Sequence, residues 1–275
     1  MPGMGTSMAG TGAMFEFDFM RHAFWAASIV AIVAGCSGYF LVLRSQAFAG
    51  HALAHVGFTG ATGAVLIGIA PLWGFLVVTA CGGVGMALLG ERLEGRDVAI
   101  GIVLAVSLGV GLLFLHFFTS YAVQATALLF GNLLGVDAAT LRTLAVLAAV
   151  SLAGLALISR PLLFASLQPE LAEAKGVSLR LVSVLFLLIV AVATAESAQI
   201  VGVLLVFALL IAPAAAAQRL TSRVGSGVLL AVVLGLLISW GGLALAYYSD
   251  WPSSFWITAL GGAAYLASGA ARRAR

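Results

Sequence analysis

The sequence predicts an all-α fold: a polytopic transmembrane helical bundle of about nine spans, N-out and C-in. Three observations predict it. Only 8% of the 275 residues are charged and 63% are hydrophobic, with a mean hydropathy of +1.16. A soluble domain carries about 25% charged residues, so this chain cannot clothe a normal aqueous surface. Apolar runs long enough to cross a bilayer recur from Phe24 to Gly269 and leave no room for a soluble domain. The basic residues fall in the short connections between these runs. Every span is helical, because open sheet edges are not tolerated in lipid.

In chain order, residues 1–23 form a flexible N-terminal tail and interfacial anchor. Its start, MPGMGTSMAGTGAM, lacks the basic head and apolar core of a cleavable signal peptide. A window of about 20 apolar residues then marks spans near 24–43, 48–70, 71–90, 98–118, 139–159, 181–197, 200–218, 226–247 and 254–270. Together residues 24–270 make the membrane domain, and eight spans result if the short sixth or ninth segment does not cross. Residues 120–135, SYAVQATALLFGNLLG, are uncharged but broken by Gln124, Gly131 and Asn132, which suits an outer re-entrant or interfacial helix. Asp137 caps the span that follows. Gly57, Gly60, Gly63 and Gly68, then Gly82, Gly83, Gly85 and Gly90, crowd the second and third spans. Small residues let helices approach closely, so these two pack in the bundle interior. Cys36 and Cys81 lie within spans and form neither a disulfide nor a zinc knuckle. Residues 271–275 are a basic tail.

Orientation follows the basic residues, which gather on the cytoplasmic side. With the N-terminus outside, eleven of the thirteen Lys and Arg fall inside and only Arg21 and Arg142 outside. The charge of +3 is scattered through short loops, so nucleic acid is not a partner.

The connection after span five, SLQPELAEAKGVSLR (166–180), is a short cytoplasmic helix. Pro169 suits a first helical position and Gly176 a helix stop. Glu170 lies in the first turn and Lys175 in the last, as the helix dipole prefers. It is either an interfacial connector or a docking helix for a soluble partner. Lys175 is the sole lysine and Gly-Val follows it, so the chain has no GxxxxGK[ST] phosphate loop. Any nucleotide energy has to come from another subunit.

HALAHVGF (51–58) sets two histidines four apart inside an apolar span. Residues so spaced face the same way, about 5–6 Å apart. A helix running from Arg44 would carry His51 about 10 Å and His55 about 16 Å inward, at about 1.5 Å per residue. Ionisable groups at that depth face the bundle interior or water. The pair can pack, titrate near neutral pH, or hold a cation together. Glu196, in TAESAQ at the outer turn between spans six and seven, is a cation-receiving candidate or a solvated turn residue. His116 and His22 read as interfacial and surface residues. Pro213, inside span seven, removes a backbone hydrogen bond and kinks the helix.

Four stretches together resemble the membrane permease subunit of bacterial ABC importers for zinc, manganese or iron. They are LVLRSQAFAGHALAHVGFTG (41–60), ALLFGNLLGV (127–136), LQPELAEAKGV (167–177) and VGVLLVFALLIAPAAAA (201–217). The resemblance implies a homodimer in the bacterial cytoplasmic (inner) membrane, surrounded by lipid. It implies two copies of a cytoplasmic ATP-binding cassette ATPase as partners, and an extracellular solute-binding protein that delivers the ion. It makes Pro169, Glu170, Leu171, Ala172, Lys175 and Gly176 the ATPase-coupling element, near 168–176. It makes Gly202 and Pro213, the ends of a glycine-to-proline motif, gating or kink positions.

The family carries a carboxylate where this chain has His51. Neutral imidazole suits zinc, copper, iron or nickel, whereas carboxylate and water suit manganese better, so the pair tilts toward zinc, with manganese or iron as the other candidates. The expectation is therefore a transport subunit and not an enzyme. It holds no permanently bound cofactor and moves a divalent metal past His51 and His55, with Glu196 as a further metal contact. The alternative is an ion- or proton-coupled secondary metal carrier without an ATPase.

Overall fold

A computed structural model describes residues 17–89, 96–118, 129–131 and 133–273. The predicted tail over 1–14, Arg92, Arg275 and most of the predicted 120–135 helix, with Gln124 and Asn132, lie outside the described residues.

Among the described residues all regular structure is helical. The helices are α1 (Asp18–Leu43), α2 (Ala47–Leu66), α3 (Pro71–Leu89), α4 (Arg96–His116), α5 (Ala138–Leu167), α6 (Pro169–Ala174), α7 (Leu179–Val201), α8 (Val203–Leu220), α9 (Val224–Ser249) and α10 (Ser253–Arg273), with a 3-10 turn at Leu133–Gly135. Five of them (α1, α3, α5, α7 and α9) are long and apolar enough, by length and composition, to cross a membrane. Helix α2 is 20 residues long, but two histidines and several glycines dilute its apolar character.

Helix ends follow local chemistry. Asp137 caps α5 by accepting the Thr140 N–H at 2.8 Å, and the Ser178 hydroxyl accepts the Leu181 N–H at the start of α7. Pro169 opens α6, and Gly176, at φ +83°, lies just beyond its C-cap, Lys175. Several ends differ from the predicted spans, among them the C-terminus of α2, which stops at Leu66 rather than 70. Helix α1 starts at Asp18, ahead of the predicted 24, with Met20 and Ala23 already buried. Helix α5 runs past Arg160 and Pro161 to Leu167, since one missing N–H leaves only the Leu157 carbonyl without its donor. The α7–α8 break lies at Gly202, not beside Glu196.

Helix α2 occupies the interior, packed against α3, α4, α7 and α8. Helix α1 lies against α5, α7, α8 and α9, and α10 covers α8 and α9. The α2–α3 contact is as close as the glycines predict, but α3 does not lie in the interior as expected, since it presents Trp73, Val77 and Leu88 outward. A Cβ at Gly60 would sit 2.2 Å from the Gly74 carbonyl oxygen, and one at Gly74 equally close to the Gly60 carbonyl. At the end of α8, Gln218 donates to the Tyr39 carbonyl at 2.8 Å, and Arg219 stacks 3.7 Å from the Tyr265 ring centroid. These contacts anchor α8 to α1 and α10.

Candidate functional site

The site is built on the start of α2. Arg44, Ser45 and Gln46 make a three-residue turn after α1, with Ser45 at φ +54° and the Gln46 N–H donating to the Leu41 carbonyl at 2.8 Å. Helix α2 therefore begins at Ala47, beside the predicted 48, and the depth of the histidines is counted from there rather than from Arg44. Counted from Ala47, His51 lies about 6 Å and His55 about 12 Å along the helix axis.

The two imidazoles share one face, as their spacing predicts. Their ring centroids are 4.7 Å apart and nearly perpendicular, at 81°. His55 is buried at 7% exposure and His51 is half-buried. Phe207 of α8 stands edge-on to His51 at 4.9 Å, and Phe48 lies 6.5 Å away. The Nδ1 atoms of both histidines are buried without a hydrogen-bond partner among the described residues. A packing histidine normally has such a partner, and no group among the described residues satisfies these nitrogens. One turn beyond His55, the Thr59 hydroxyl donates to the Ser107 carbonyl and fastens α2 to α4.

No group of three or more His, Cys, Asp or Glu gathers among the described residues. The structure therefore brings His51 and His55 together but does not bring Glu196 to them. Glu196 is not in a solvated turn. It lies within α7 at 0% exposure, and neither carboxyl oxygen has a hydrogen-bond partner among the described residues. The polar run TAESAQ looks like a turn in sequence, yet only Gln199 nearby is exposed. His116, at the end of α4, is exposed beside Phe117, and His22 is half-buried on α1.

The break between α7 and α8 has a steric cause. Gly202 adopts φ +80° and Gly131 φ +73°, and their backbones press together. A Cβ at Gly202 would lie 2.3 Å from the Leu129 carbonyl oxygen. Only glycine fits both the left-handed conformation and this approach. Pro213 is buried within α8, where it leaves the Leu209 carbonyl without its helical donor.

Helix α6 turns Ala172 inward, fully buried, and leaves Pro169, Glu170, Leu171, Lys175 and Gly176 exposed. Leu171 is 47% exposed on a six-residue helix, an apolar side chain presented outward. Two partners in the surrounding structure were not legible in sequence. Phe207 reaches His51 from another helix, and Arg44 bonds to Ser166 and Ser183 across the fold. Only the position of Phe207 within the glycine-to-proline stretch hinted at it.

A profile of the ABC 3 transport family matches residues 16–272. The chain is 29% identical over 240 residues to the manganese transport system membrane protein MntC of Halalkalibacterium halodurans, covering 86% of this chain and 82% of the relative. It is 28% identical over 237 residues to the chelated iron transport system membrane protein YfeC of Yersinia pestis, covering 86% and 80%. The structure superimposes on PsaBC from Streptococcus pneumoniae, solved in complex with Fab, with a TM-score of 0.84 and 26% identity over 94% and 93% of the two chains. The profile spans nearly the whole chain, and the fold agrees along the same length. This is a multi-pass membrane transport component rather than an enzyme, and it belongs to the ABC 3 transport family.

Proposed function

We propose that the chain is the permease subunit of an ATP-driven importer that carries a divalent transition metal inward past His51 and His55. The observation that carries this reading is the pair of adjacent imidazoles on an interior helix, with buried Nδ1 atoms that have no hydrogen-bond partner among the described residues and the ring of Phe207 against His51. Two nitrogen donors are fewer than the four of a closed structural zinc site. That shortfall suits a pathway, which has to bind an ion and also release it. The imidazole donors support zinc, while the names of the relatives support manganese and iron. Glu196, Gly202 and Pro213 complete the route, as a further metal contact and as gating positions.

The metal is cargo, and no cofactor is held permanently. The chain works as a homodimer in the bacterial inner membrane. It takes the ion from an extracellular solute-binding protein and docks a cytoplasmic ATPase through Glu170, Leu171, Lys175 and the rest of α6. Nine spans cross the bilayer over residues 24–270, N-out and C-in.

The test is uptake of radiolabelled zinc and manganese by cells expressing the full complex. Wild type is compared with His51→Ala/His55→Ala at matched membrane abundance. ATP-dependent uptake of the transported metal falls at least about tenfold, as expected when metal ligation is removed. Unchanged uptake of both metals would reduce the pair to packing.

A further inference from the structure

Arg44, at the C-terminal end of α1, links the exposed helix α6 to the helix that carries the histidine pair. Its guanidinium donates from Nη1 to the Ser166 hydroxyl at 3.1 Å and from Nη2 to the Ser183 hydroxyl at 2.9 Å. Ser166 lies in the last turn of α5, just before α6, and Ser183 in the second turn of α7, just after it. The same guanidinium stands 5.7 Å from the centroid of the Phe186 ring on α7. One side chain thus holds both stems of the α6 hairpin. A planar fork on a long stem can do this, whereas a lysine ammonium is a single point.

The backbone of Arg44 leads the other way. Only Ser45 and Gln46 separate it from α2, and Gln46 is buried with its N–H bonded to Leu41. Ser45 holds a left-handed conformation that a serine adopts only when its surroundings impose it. A turn this short and constrained has little slack, so a displacement of Arg44 moves the first turns of α2, where His51 sits. A cavity of about 860 Å³ adjoins the network, lined by Arg44, Gln46, Ser166, Pro169, Glu173 and Ser183, and gives the stems room to move.

We propose that Arg44 is a positioning residue that transmits displacement of α6 to the His51/His55 pair, coupling ATP hydrolysis to metal release. The proposal rests on the reading of α6 as the ATPase-docking helix. Coupling of this kind travels through packed elements and hydrogen-bond networks.

The experiment reconstitutes the full complex in proteoliposomes and measures zinc uptake and ATP hydrolysis on the same sample. The variants are Arg44→Ala, Arg44→Lys, Ser166→Ala/Ser183→Ala and Leu171→Glu. Arg44→Ala and the double serine variant retain the ATPase and hydrolyse ATP within about twofold of wild type, while ions moved per ATP fall about tenfold, a usual coupling factor. Arg44→Lys recovers part of that ratio. Unchanged ions per ATP in both the Arg44→Ala and serine variants would overturn the proposal. So would release of the ATPase by both, which would make the network an assembly device. If Arg44→Ala does not accumulate, the serine variant, which removes only two hydroxyls, decides. Leu171→Glu tests the docking reading separately. If it retains the ATPase, docking through α6 is refuted and the proposal falls with it. If it releases the ATPase while the network variants stay fully coupled, only the role of Arg44 fails.

Discussion

Glu196 shows at the scale of one residue how a buried ionisable group can imitate a loop. Its carboxyl group is fully enclosed, with no hydrogen-bond partner for either oxygen among the described residues. Such burial is costly, and ionisable groups retained inside a membrane mark functional positions. Glu196→Gln keeps the shape of the side chain, so it preserves membrane abundance and melting temperature. If Glu196 contacts the ion, the same variant lowers metal uptake; full uptake with an unchanged fold would leave Glu196 a packing residue. In sequence, Glu196, Ser197 and Gln199 depress hydropathy just where a turn would do so. The real break, at Gly202, is set by a backbone contact with the segment around Gly131, which no local pattern displays. The histidine pair was legible because i,i+4 geometry is local.

At the scale of elements, short-range chemistry was the better guide. Pro169 and Gly176 bounded α6 correctly, and the glycines of α2 and α3 marked the pair of helices that meet backbone to backbone. That contact makes a sharp prediction. Gly60→Val would push a side chain into the Gly74 carbonyl, a backbone group that cannot rotate aside. The helices must separate, at a cost of about 3 kcal/mol, the upper end for overpacking. Thermal melting of the purified chain should drop clearly for Gly60→Val. It should stay near wild type for Gly85→Val, where an added Cβ meets nothing within 4 Å among the described residues. Equal melting of the two variants would mean that the α2–α3 contact is not what holds α2 in place. The helix ends that sequence placed less well, at Asp18 and beyond Pro161, are those where continued packing overrides a local stop signal.

For the whole molecule, the class of fold was written in composition, but the pairing of distant helices was not. Arg44 with Ser166 and Ser183, Gln218 with Tyr39, and Phe207 with His51 join segments whose separation in sequence carries no periodic signal. Orientation rests instead on charge, and it can be tested across the last two helices. Helix α9 has 26 residues, a length of about 39 Å at 1.5 Å per residue, enough for a hydrocarbon core of about 30 Å. Thr221 and Arg223 precede it, and Asp250 and Trp251 follow it before α10. Arg219, Arg223 and the arginines of the C-terminal tail belong on the cytoplasmic side if basic residues set the topology. An alkaline phosphatase reporter, which is active only outside the cytoplasm, should be silent when fused at Thr221, active at Asp250 and silent again after Arg275. The reverse pattern would turn the whole bundle over and place α6 outside, where no ATPase could reach it. Activity at both Asp250 and Arg275 would mean that α10 does not cross, giving eight spans. The C-terminus would then lie on the same side as the loop before α10.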